Sequence, residues 1–160
     1  KLLYTDGRIQ HAGVVMGYGG GAGHAHKYFP RYHPGYMNRL IATQNYSAVT
    51  AACLLVKKSK FDEVGGLNEE DLQVAFNDVD FCLRVLETGV RNVYCAEAEL
   101  FHHESVSRGL DITEEKAARF NRELTYLRTN WKKYIANDPA YNPNLTLKRE
   151  NFAIKAKEEY

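Results

Sequence analysis

Ala75-Phe76-Asn77-Asp78-Val79-Asp80-Phe81-Cys82-Leu83-Arg84 is the stretch around which the chain is organised. Asn77 and two acids stand where a polar run gives way to an apolar helical pattern, so the spacing predicts a helix whose N-terminus projects both carboxylates. The first turn of a helix has unpaired N–H groups and a positive dipole end, which keep a carboxylate ionised and fix its direction. Phe81, Cys82, Val85 and Leu86 then recur on an inward face, Arg84 and Glu87 stay on the wet one, and Gly89 closes the helix. Two roles are open for the acids at this point. Either Asp78 is an N-cap and Asp80 a first-turn acid, or the pair marks a site of acid–base chemistry.

Upstream, Thr50-Ala51-Ala52-Cys53-Leu54-Leu55-Val56-Lys57-Lys58 is a short apolar run with small residues at its start, which predicts a buried strand. Ser59 then caps a short helix from Lys60 to Val64, stopped by Gly65-Gly66. Downstream, Val90 to Cys95 alternates as a strand, and Ala98 to Phe101 leads into His102-His103-Glu104-Ser105-Val106-Ser107-Arg108-Gly109. Polar chemistry packed this densely after a buried strand is where an α/β fold places a site, although Ser105 and Ser107 also suit turns. Adjacent histidines on a strand point apart, so only one of His102 and His103 faces a given cleft.

The chain opens on a predicted hairpin, Leu2 to Tyr4 and Ile9 to Met16 about the turn Thr5-Asp6-Gly7-Arg8. Gly17 to Gly23 reads as a loop, without the Lys-Ser/Thr ending of a phosphate-binding loop. Tyr28 to Tyr36 follows with rings and prolines, a segment that suits either sugar faces or plain packing. A capping box from Thr113 opens a long amphipathic helix to about Ile135, striped by Phe120, Leu124, Leu127, Trp131 and Tyr134. Residues 138–160 read as an extended tail on a domain spanning 1–137.

A length of 160 residues suffices for one core, and a net charge of +1 gives no reason to expect a nucleic-acid partner. Cys53, Cys82 and Cys95 are odd in number, lack CxxC spacing and lie in apolar runs, which reads as reduced, buried thiols of a cytoplasmic protein. No apolar run is long enough to cross a bilayer. The chain enters an apolar run directly from Lys1, as a piece of a larger protein would.

In order and spacing, Thr50 to Val56, Phe61 to Leu67, Asn77 to Arg84 and His102 to Gly109 resemble the family 2 glycosyltransferases of bacterial surface-polysaccharide synthesis. Asp6 to Gly13, Gly23 to Lys27 and Asp138 to Leu145 are similar to the rhamnosyltransferase-like branch of that family. The resemblance implies an α/β fold, the acceptor-side half of a GT-A domain: a mixed sheet with flanking helices and a long C-terminal helix. The nucleotide-binding half, with its own DxD metal motif, would precede Lys1. It implies an inverting transferase that moves a sugar from a nucleotide-sugar donor to a glycan or lipid-linked acceptor, with this chain inactive on its own.

Carried over by motif, Asp78 matches the general base. His102 matches a histidine facing a divalent metal, Mn2+ or Mg2+, and the donor diphosphate. Ser107 and Arg108 match the loop that follows it, where a guanidinium would bind phosphate. Asp80, Gly65, Gly66 and Thr50 fall at acceptor-side or structural positions. Peripheral membrane association of the full-length enzyme and self-association of the half-domain are further expectations. Two other readings compete. One is a non-catalytic carbohydrate-binding module using Tyr28 to Tyr36; the other is a metal site of His24, His26, His102 and His103, whose spacing suits neither a zinc finger nor a zincin.

Overall fold

The computed structural model describes residues 1–103 and 113–160. The chain forms β1 (Leu2–Leu3), β2 (Ile9–His11), β3 (Val14–Met16), β4 (Ala22–His24) and β5 (Gln44–Tyr46). Then come α1 (Lys58–Glu63), α2 (Asn77–Glu87), β6 (Asn92–Tyr94), β7 (Leu100–Phe101), α3 (Glu114–Asn130) and α4 (Lys132–Ala136). This is a mixed α/β architecture with its longest helix in the C-terminal part, as expected.

The strands are short because turns and glycines interrupt each apolar run. The opening hairpin forms as the sequence predicts. Asp6 accepts from Arg8 N–H at 2.9 Å inside the turn, and β1 pairs antiparallel with β2. β7 adds to the other edge of β1 in parallel, so this sheet, ordered β2-β1-β7, is mixed. The single strand expected over Ile9 to Met16 is split in two, with β3 pairing antiparallel to β4 instead. Gly13 makes the break: its φ is +100°, and a Cβ there would sit 2.4 Å from the Tyr46 ring. The strand expected over Val90 to Cys95 forms as β6, which pairs with β5, and the segment Ala98 to Phe101 supplies β7, which pairs with β1.

The buried strand expected over Thr50 to Lys58 is not formed. Ala51–Cys53 is a 3-10 turn, and Leu55 is 98% exposed. Side chains take the donors that a strand ladder would use, since Thr50 Oγ1 accepts from Ala52 N–H at 3.3 Å and Asp78 from Ala51 N–H. The cysteine expectation changes with it: Cys82 is buried, whereas Cys53 and Cys95 are exposed. The short helix is α1, whose N-cap is Lys57 without a side-chain bond, so Ser59 is not its cap. The long C-terminal helix starts as expected, Thr113 accepting from Lys116 N–H, but it breaks at Trp131.

Two apolar clusters hold the fold. In the first, Leu3, Ile9, Val15, Tyr46 and Tyr94 pack with Tyr141, Leu145 and Phe152, so the expected tail contributes core side chains. In the second, Val79, Phe81, Cys82 and Leu83 of α2 pack with Val14, Met16 and Leu127. Residue 138 joins the segments: the buried Asp138 carboxylate accepts from Ser47 Oγ at 2.5 Å, Met16 N–H at 2.7 Å and Ala140 N–H at 2.8 Å. Burial pushes its carboxyl up from the usual range, against the pull of those donors.

Candidate active site at the start of helix α2

The entry to α2 is fixed from three sides. Glu123 of α3 is buried, and its two carboxylate oxygens accept from Val74 N–H at 3.1 Å and Ala75 N–H at 2.8 Å. Phe76 then adopts a left-handed φ of +61°, an unfavourable conformation for an aromatic residue, and so turns the chain into the helix. Asp78 therefore lies in the first turn and is not the N-cap, a place held by Phe76. Its Oδ1 accepts from Val79 N–H at 2.9 Å and its Oδ2 from Ala51 N–H at 3.0 Å. The residue is half-buried. Each carboxylate oxygen has two lone pairs, so both retain acceptor capacity for a hydroxyl.

Thr50 shares this corner. Its backbone N–H donates to His11 Nε2 at 3.4 Å, and the same nitrogen accepts from Gly13 N–H at 3.3 Å. His11 Nδ1 lies 2.9 Å from His24 Nδ1, and the two rings meet edge to face. Burial, then the neighbouring His24, holds the His11 imidazole well below the usual histidine range.

Asp80 is placed differently. It is 2% exposed and accepts from Arg84 Nε and from Trp131 Nε1, both at 2.8 Å. Arg84 also donates to the carbonyl of Val64. Asp80 thus ties α2 to the α3–α4 junction and, through Arg84, to the turn at Gly65 and Gly66. Both glycines have positive φ, and Gly66 packs so closely on Phe61 that a Cβ would meet its ring at 3.0 Å. Asp80, Gly65 and Gly66 therefore have structural work among the described residues.

His102 follows β7. Its Nδ1 lies 2.7 Å from Gln10 Oε1, while Gln10 Nε2 donates to the His102 carbonyl at 3.4 Å. A carboxamide oxygen only accepts, so His102 donates from Nδ1, and in the neutral ring the lone pair is on Nε2. That is the arrangement of a metal-ligating histidine held by a second residue, and it fits His102 as one ligand. Among the described residues no group of three His, Cys, Asp or Glu side chains is placed to hold a metal ion. The four-histidine site does not assemble: His24 meets His11, His102 meets Gln10, and buried His26 accepts from Tyr36 N–H at 3.0 Å. Burial lowers His26 to about 3, which keeps it neutral. Ser107 and Arg108 lie outside the described residues.

Gln10, His11 and Glu123 are the neighbours that sequence reading left without roles. Their partners are 92, 39 and 48 to 49 residues away in sequence. The local signal for Gln10 and His11 is that they are consecutive polar residues in the mostly apolar run Ile9 to Met16.

No family model and no solved structure matches the chain. It is 58% identical over 98% of its length to the uncharacterized protein y4gI of Sinorhizobium fredii, and 36% identical over 92% to the O-antigen biosynthesis protein RfbC of Myxococcus xanthus. Over 49% of its length it is 34% identical to an N-acetylglucosaminyl-diphospho-decaprenol L-rhamnosyltransferase of Mycobacterium tuberculosis. These relatives support a glycosyltransferase family. The chain spans 17%, 11% and 25% of their respective lengths. The segment alignable with the rhamnosyltransferase is thus about half of this chain, whereas the other two similarities run through almost all of it. No helix among the described residues is long and apolar enough to cross a membrane.

Proposed function

We propose that the chain is the acceptor-side half of an inverting GT-A glycosyltransferase that transfers a sugar from a nucleotide-sugar donor to a glycan or lipid-linked acceptor in cell-surface polysaccharide synthesis. The observation that carries this reading is Asp78, half-buried in the first turn of α2, with both oxygens oriented by backbone N–H groups and lone pairs to spare. In the reaction its carboxylate takes the proton of the acceptor hydroxyl as that oxygen attacks the anomeric carbon and the nucleoside diphosphate departs. The proton is lost late, when the attacking oxygen has become acidic, so a carboxylate serves as base. The names of two relatives, an O-antigen biosynthesis protein and a rhamnosyltransferase, favour a sugar over other transferable groups.

His102 would hold the metal, Mn2+ in preference to Mg2+ because imidazole suits the softer ion. When bound, that metal would offset the negative charge of the diphosphate. Ser107 and Arg108 would contribute to the same diphosphate site. The half-domain reading is supported by an uncovered apolar face: Leu55 is fully exposed, and two adjoining clefts of about 290 and 320 Å3 share Val49, Leu54, Leu55 and Val93. A nucleotide-binding half would cover this face, and without it the half-domain would self-associate. The full-length enzyme would work at the cytoplasmic face of a membrane.

The test is Asp78→Asn in the full-length protein. Transfer should fall by about 10²–10⁴-fold, the usual contribution of a general base, while nucleotide-sugar binding survives. Turnover close to that of the unmodified enzyme rejects the assignment. A binding module remains the second reading because Tyr32 is 82% exposed and Tyr28 stacks on Tyr4 between Arg8 and Lys27. Calorimetry separates the two: glycan binding by the 160-residue chain, abolished by Tyr28→Ala and Tyr32→Ala and indifferent to Asp78→Asn, favours the module.

A further inference from the structure

Consecutive backbone N–H groups in the turn beside Asp78 go to two different side chains. Thr50 N–H is received by His11 Nε2, and Ala51 N–H by Asp78 Oδ2. Two successive peptide groups, Val49–Thr50 and Thr50–Ala51, are therefore held by an imidazole from β2 and the carboxylate from α2 respectively. Which nitrogen of His11 bears the proton follows from its partners. Nε2 accepts from both Thr50 and Gly13, so it is unprotonated and the hydrogen of the neutral ring is on Nδ1. Nδ1 faces His24 Nδ1 at 2.9 Å, so His24 must present a lone pair there and keep its own hydrogen on Nε2. One arrangement of two protons satisfies all three contacts. A hydrogen on both facing nitrogens would set donor against donor, and moving the His11 hydrogen to Nε2 would strand two backbone N–H groups.

We propose that His11 is a positioning residue for the base, and that His24 selects the tautomer of His11 that can hold the Thr50–Ala51 turn against Asp78. The assignment rests on the reading of Asp78 as base, and extends it to two histidines on β2 and β4. His24, half-exposed, sits at the edge of the pair, while His11 is 5% exposed. Its burial, with the Thr50 and Gly13 donors converging on one nitrogen, is the mark of a neutral acceptor and not of a proton shuttle. In the unmodified protein the turn is thus anchored on one side by a group that stays uncharged and on the other by the carboxylate that reacts.

The experiment uses the full-length protein and two readouts, amide hydrogen exchange in the Thr50–Cys53 peptide and steady-state sugar transfer. His11→Leu removes the acceptor and His11→Gln returns an amide oxygen near the Nε2 position. His24→Leu removes the tautomer selector, and His24→Asn returns an acceptor near its Nδ1. Exchange at the turn should accelerate at least about tenfold in both Leu variants, the scale of one lost buried hydrogen bond, and be largely restored in Gln and Asn. Transfer kcat should fall in the same order with donor KM unchanged. Unaltered exchange in soluble, folded His11→Leu overturns the proposal, as does accelerated exchange with unaltered kcat. Global acceleration across α2 and α3 also counts against it, because it marks a packing role. If Asp78→Asn retains turnover while the Leu variants loosen the turn, the base reading fails and the tautomer pair stands as a structural clamp alone.

Discussion

The indole N–H of Trp131 donates to the carboxylate of Asp80 at 2.8 Å across 51 residues, and this bond distinguishes the two acids of the organising stretch. Two positions separate Asp78 from Asp80 on the helix, about 200° of turn, so their side chains leave on nearly opposite faces. One meets the Thr50 turn, and the other is enclosed by Trp131 and Arg84.

Removing Asp80 should therefore unfold before it inactivates. Asp80→Ala leaves the Arg84 guanidinium and the Trp131 N–H facing a hole, and stability should drop by about 3 kcal/mol, the scale of a broken buried pair. Asp80→Asn keeps an acceptor for the indole and should lose less. Urea denaturation followed by tryptophan fluorescence checks both, Trp131 being the sole tryptophan. An Asp80→Ala protein of ordinary stability but lost transfer would instead assign Asp80 to the acceptor.

Glu123→Gln tests the fixing of the α2 entry. The amide NH2 would face either Val74 N–H or Ala75 N–H, donor against donor, and stability should fall by about 1–3 kcal/mol. Hydrogen exchange should rise at residues 74 and 75 first, because these carry the bonds that Glu123 receives. Exchange unchanged there would mean that the left-handed Phe76 is held by packing alone.

Asp138 predicts a pH dependence with a definite sign. Its folded-state pKa is raised by burial, so the folded protein holds this proton more tightly than the unfolded chain does. Stability measured relative to Asp138→Asn should be greatest below the ordinary aspartate value of about 3.9 and decline as pH rises through the raised value, then level off. Parallel urea titrations of the two proteins between about pH 3.5 and 7 check the slope. The opposite sign would mean that the donors from Ser47, Met16 and Ala140 outweigh desolvation.

Gln10→Leu addresses His102 without touching its ring. Loss of the carboxamide frees the imidazole to place its proton on either nitrogen, and Mn2+ affinity of the full-length enzyme should weaken by about 10–100-fold, the usual effect of losing an orienting residue. Electron paramagnetic resonance of free Mn2+ in a titration reads this directly. Equal Mn2+ binding in Gln10→Leu and in His102→Ala, matching the unmodified enzyme, would remove His102 from the metal site.

The sequence by itself determined the local events. Helix α2 with Asp78 and Asp80 near its start, the opening hairpin about Asp6-Gly7, the Gly65-Gly66 stop and the Thr113 cap are all signalled within a few residues, although the entry to α2 is held by the remote Glu123. The motif pattern also pointed to a glycosyltransferase, and the names of two relatives support it at that level. What tertiary structure decided was every choice that depends on a partner distant in the chain. Thr50 to Lys58 has the composition of a strand, yet Asp78, 27 residues on, takes the donor of Ala51, and the segment becomes a turn. Ile9 to Met16 reads as one strand, yet the Tyr46 ring occupies the space beside Gly13 and divides it. Local sequence specifies which conformations are cheap; the packing of remote side chains selects among them, because a buried donor must find its acceptor wherever the chain has placed one.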